Sequence, residues 1–145
     1  MISQMNHPAE SANRLRTVLL RLARELRREI HSLGITGGQV SLLVAIKQSP
    51  GVTASTLAER ERISAPAMSA HLARLEEAGL ISRTRATDRR RVGLEVTAEG
   101  SRVLRSVRQR RTAWLARRLD ALTPEERAAV EAAIEPLERL LGAGR

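Results

Sequence analysis

The chain has 145 residues, enough for one domain with an added helical arm, and its 25 Lys+Arg outweigh 16 Asp+Glu for a formal net charge of +9. It contains no cysteine, tyrosine or phenylalanine and a single tryptophan, Trp114. That excludes disulfides, thiolate metal sites and cysteine redox sensing, and leaves base stacking on single-stranded nucleic acid almost nothing to work with. No run approaches the roughly 18 apolar residues of a membrane helix and no signal-peptide pattern is present, so the expected setting is the cytoplasm, with no membrane partner.

Residues 1–11 are polar, contain Pro8 and are expected to form a mobile tail. A long amphipathic helix follows, with Leu15, Val18, Leu19, Leu22, Leu26 and Ile30 on one stripe and Gly34 at its end. Thr36 or Gly37 opens a second helix in which Val40, Leu42, Leu43, Ala45 and Ile46 are largely buried, closed by Pro50-Gly51. Thr53 caps a short third helix with Leu57 and Ala58 facing inward, and Glu61-Arg62-Ile63-Ser64 makes a turn. Ser64 has the short hydroxyl that caps a helix N-terminus, and Pro66 falls in the first turn, where its missing N–H removes no bond. Met68, Leu72 and Leu75 mark the buried face of this fourth helix, which ends near Gly79. Two short helices joined by a tight turn, the second opening at a cap, form a helix-turn-helix.

A two-stranded hairpin comes next, Ile81 to Arg85 and then Val92 to Val96, where Val92, Leu94 and Val96 alternate with Gly93 and Glu95. Around its tip Arg83, Arg85, Arg89, Arg90 and Arg91 cluster about Asp88. The entire charge excess lies between residues 83 and 118, which hold 12 arginines against Asp88, Glu95 and Glu99; the other charges cancel. A one-sided basic surplus beside a helix-turn-helix is the electrostatic footprint of a duplex DNA binder. After the hairpin a connecting helix runs over about 98–119. Thr123-Pro124-Glu125-Glu126 then starts a last helix carrying Val130, Ile134, Leu137, Leu140 and Leu141.

The segment LAERERISAPAMSAHLARLEEAGLISR, the TDRRR hairpin tip and VTAEG at residues 96–100 together resemble the MarR family of bacterial transcriptional regulators, in order and spacing, over roughly half the chain. The resemblance implies a mainly α fold with a small β-hairpin wing. Its winged helix-turn-helix lobe would span 35–100, and helical dimerisation arms would span 12–34 and 120–145. It implies a homodimer held by Leu15, Leu19, Leu22, Leu26, Val130, Ile134, Leu137 and Leu141, although the same apolar arms could instead pack together within one chain. Trp114 is expected in dimer or hinge core rather than against a ligand.

On DNA, the recognition helix would present Ser64, Ala65, Ala67, Ser69, Ala70, His71 and Arg74 to the major groove. The two alanines 65 and 67 can offer only methyl contacts, whereas Ser69 can bond a base edge or a phosphate. The family often has a polar side chain where Ala70 stands. His71 is a candidate to replace it, with seating of the helix as its alternative role. Arg74 would meet a phosphate or Asp88. The family's Asp-x-Arg pattern maps onto Asp88 and Arg90, so that Asp88 fixes the tip, Arg90 enters the minor groove and Arg89 and Arg91 flank it on phosphates. The function implied is that of a sequence-specific repressor on an inverted repeat, released by a small effector that no residue identifies; an architectural DNA-binding protein is the alternative. With no P-loop, dinucleotide fingerprint, catalytic triad order or metal-spaced histidines (His7, His31 and His71 are scattered), no enzyme activity, cofactor or metal is expected.

Overall fold

The computed structural model describes residues 7–85 and 92–142. Asp88, Arg89, Arg90 and Arg91, expected above to meet DNA, therefore lie outside the described residues. The chain divides between Arg110 and Arg111 into two compact units.

In the first unit, α1 (His7–Glu29) starts earlier than its apolar stripe suggested. Residues 7–11, read as tail, are helical, and Pro8 sits in the first turn, where a helix tolerates it. The helix stops at Glu29, and one 3-10 turn (His31–Leu33) leads to Gly34, whose φ of 72° reverses the chain. Helix α2 (Gly37–Gln48) opens on a reciprocal capping box, in which Thr36 Oγ1 accepts from the Gln39 N–H and Gln39 Oε1 accepts from the Thr36 N–H. Thr53 caps α3 (Ala54–Glu61) by accepting from the Thr56 N–H, and Ser64 caps α4 (Ala65–Glu77) by accepting from the Ala67 N–H.

The apolar positions read from the sequence converge on one core. Ile30, Leu43, Ile46, Leu57, Met68, Leu72, Leu75 and Leu94 are its fully buried side chains, and Val107 joins from α5 (Ala98–Asp120). Each such aliphatic side chain contributes about 1.5–3 kcal/mol by leaving water.

Strands β1 (Ile81–Arg85) and β2 (Val92–Val96) pair antiparallel, with Ile81 opposite Val96 and Arg85 opposite Val92. A feature absent from the hydrophobic pattern extends this sheet: Val52 bridges Leu94 on the other side of β2. Gly51 N–H donates to the Leu94 carbonyl and Leu94 N–H to the Val52 carbonyl, both at 2.9 Å. The close approach explains Gly93, because a Cβ there would lie 3.0 Å from the Gly51 backbone. The wing is thus stitched to the segment before α3 as well as to its own partner strand.

In the second unit, Thr123 and Glu126 form another capping box, and α6 (Pro124–Gly142) begins there. Pro136 lies inside α6, where it removes one backbone donor. Trp114 is buried within the chain, with the Arg118 guanidinium 5.0 Å above its ring.

Candidate nucleic-acid interface

Helix α4 has two unlike faces. Met68, Leu72 and Leu75 bury one of them. The opposite side exposes Ala65, Pro66, Ser69, Ala70, Ala73, Arg74 and Glu77, positions that recur at i, i+3, i+4 and i+7. Most of these side chains are small, so the helix backbone can approach the floor of a groove closely. Ser69 and Arg74 are the hydrogen-bond donors on this strip, and Arg74 has no ion-pair partner among the described residues.

The other residues expected at this surface divide. Ala67 and His71 are half-buried at the edge of the strip, which suits seating of the helix as much as contact. Ser64 is exposed, but its oxygen already accepts from Ala67 N–H at 3.3 Å, leaving its O–H as the group free to donate outward.

Arg83 is held at the base of the hairpin. Its Nε lies 2.8 Å from Glu76 Oε2, tying β1 to the last turn of α4, with both side chains partly exposed. One of the five charges in the sequence cluster is therefore engaged at the wing's base. The spacing of Glu76 and Arg83, seven residues apart across a turn, gave no local signal of the pair.

A second joint fixes where the wing leaves the lobe. Thr97 Oγ1 donates to the Gly79 carbonyl at 2.6 Å and accepts from the Gly100 N–H at 3.0 Å, while Thr97 N–H donates to the Leu80 carbonyl at 3.0 Å. A Cβ on Gly100 would collide with that same Leu80 carbonyl and crowd Val96. The Thr-x-x-Gly spacing thus serves a mechanical purpose: it caps α5 and presses its first turn against the end of α4.

On α5, Arg102, Arg105 and Arg108 are exposed at three-residue intervals, and Arg102 pairs with Glu99 at 2.8 Å. Arg110 instead donates to Ser32 Oγ at 2.7 Å. The expected dimerisation residues are largely open: Leu15, Leu19, Leu22, Val130 and Ile134 are exposed, Leu141 is 87% exposed, and Leu26 and Leu137 are half-buried.

Comparison with known proteins places this geometry. The sequence profile of the MarR family matches residues 35–92, the helix-turn-helix and most of the wing. The transcriptional repressor MdtR of Bacillus subtilis is 33% identical over 113 residues, covering 77% of this chain and 73% of the relative. A putative transcriptional regulator of Pseudomonas aeruginosa has a crystal structure that superposes with a TM-score of 0.83 at 34% identity, over 94% of this chain and 96% of that one. FabT of Streptococcus pneumoniae, solved in complex with DNA, shares the fold at 23% identity and a TM-score of 0.67, over 92% of this chain and 99% of the other. With its capped recognition helix, its wing and its Thr-x-x-Gly exit, the chain belongs to the MarR family of DNA-binding transcriptional regulators.

Proposed function

We propose that the protein is a repressor that binds an inverted-repeat operator as a homodimer and leaves it when a small effector binds. The observation that carries the dimer is the apolar surface on the terminal helices. On α1, Leu15, Val18, Leu19, Leu20 and Leu22 are each 38–60% exposed, and on α6 Val130, Ile134, Leu140 and Leu141 are 43–87% exposed. Monomers rarely leave so many large apolar side chains in water on neighbouring turns, and a second copy of the same chain offers matching stripes. Two-fold symmetry then dictates two recognition helices about one helical turn apart on the duplex, roughly 10 base pairs centre to centre.

Each α4 would enter the major groove with Ser69 toward a base edge and Arg74 toward a phosphate. The wing arginines Arg89, Arg90 and Arg91 would take the adjacent minor groove and backbone, with Asp88 orienting the tip. The repressor sign is supported by the relative MdtR. Effector-controlled release rests on family membership, and its physical form would be a shift in the spacing of the two DNA-binding lobes. Light scattering at micromolar concentration tests the assembly: the reading expects twice the 16.0 kDa chain mass. A monomer that binds a single half-site tightly would contradict it.

A further inference from the structure

Among the described residues, four adopt a left-handed backbone: Gly34, Gly51, Gly79 and Arg62. Three are the residue type that adopts it without steric cost; Arg62, at φ 54° and ψ 44°, is not. The conformation is imposed by how α3 ends. Ile63 N–H donates to the Ala58 carbonyl at 3.0 Å and Arg62 N–H to the Glu59 carbonyl at 3.3 Å, the paired bonds of a Schellman motif. Ile63 also packs against the core, so the turn cannot relax without releasing it. Helix α4 ends on the same two bonds, from Leu80 to Leu75 and from Gly79 to Glu76, and there the left-handed position is glycine.

The chain therefore holds a long cationic side chain at a position whose backbone favours glycine, and its local packing gives no reason for doing so. The Arg62 side chain is exposed and has no hydrogen-bond or ion-pair partner among the described residues. Arg60, two residues earlier, is by contrast engaged, donating to Ser49 Oγ at 3.1 Å. Arg62 also stands two residues before the Ser64 cap, in the turn that delivers α4 to the groove.

We infer that Arg62 is a DNA contact, a guanidinium set in the helix-turn-helix turn to grip a backbone phosphate beside the groove that α4 enters. It adds a cation before the N-terminal end of α4, the end opposite the turn that Glu76 and Arg83 tie to the wing. This rests on the DNA-binding reading and adds a residue that the recognition-helix pattern did not select.

The test uses the opposed signs of strain and contact. Arg62→Gly relieves the left-handed backbone, so the melting temperature should hold or rise by about 2–4 °C. Binding to a duplex pool of random sequence should weaken, with a log–log salt slope shallower by about 0.9 per lobe. Between about 50 and 200 mM salt, the wild type should then lose about threefold more affinity per lobe than the variant. Arg62→Asn, neutral and tolerant of the same backbone, should behave likewise, and Arg62→Lys should keep the wild-type slope. Unchanged affinity and slope in Arg62→Gly would overturn the inference, and so would a melting temperature that falls together with affinity, which marks a structural residue. A wild type that binds no duplex would overturn the DNA-binding reading itself, a result separable from either.

Discussion

Thr97→Val is the sharpest perturbation of the joint between the recognition helix and α5. Valine keeps the branched shape and volume, so the change removes the hydroxyl and little else. Two hydrogen bonds go with it. The Gly79 carbonyl is exposed and can be rehydrated, so losing its 2.6 Å bond costs about 0.5–1.5 kcal/mol. The Gly100 N–H belongs to a buried residue in the first turn of α5, and without its cap at 3.0 Å it stands as an unsatisfied donor costing about 1–3 kcal/mol. The two together predict a loss of about 1.5–4.5 kcal/mol. Urea unfolding should report it as a lower midpoint with an unchanged slope, since the buried surface is the same. For contrast, Glu76→Gln breaks a partly exposed ion pair and should cost at most about 1 kcal/mol. If Thr97→Val costs no more than Glu76→Gln, the joint is incidental and the mechanical reading of Thr-x-x-Gly is wrong.

Ser69 is exposed on the small-residue strip of α4, and its hydroxyl is the one proposed to reach a base edge. Ser69→Ala should relax preference at one base pair per half-site by about 1–3 kcal/mol, and an unchanged preference in a binding selection would move it off the base-reading list. Glu126 is held below the usual carboxylate value of 4.5 by the Thr123 backbone N–H and secondarily by the Thr123 hydroxyl. A carboxylate with a lowered folded-state pKa stabilises above its unfolded pKa, and that stability goes as pH falls through the lowered value. The thermal stability of the wild type relative to Glu126→Gln should therefore be highest above about pH 4.5 and close in more acidic solution; a gap independent of pH would refute the charged capping box.

What the sequence made legible was mostly local chemistry. Thr53 and Ser64 each cap a helix three residues away, Gly79 closes α4, and Met68, Leu72 and Leu75 follow one helical stripe; all are decided within a turn or two of chain. What escaped it depended on partners brought near by folding. The Val52–Leu94 bridge joins segments 42 residues apart, and Arg110 meets Ser32 across 78. Arg83 looked like part of the tip until the fold set it against Glu76. The early start of α1 was hidden because residues 7–11 lack the apolar period, although Pro8 is compatible with a first turn. Arg62 was legible as a turn residue, but its positive φ follows from hydrogen bonds that no composition rule announces.

The proposed homodimer would set two copies of α4 on one symmetric duplex site. Sequencing the DNA retained by the purified protein from a random duplex pool tests it most directly. The expected result is an enriched inverted repeat whose half-sites lie about 10 base pairs apart, centre to centre. Retention that is uniform across sequences, or a single asymmetric site without a two-fold partner, would contradict it.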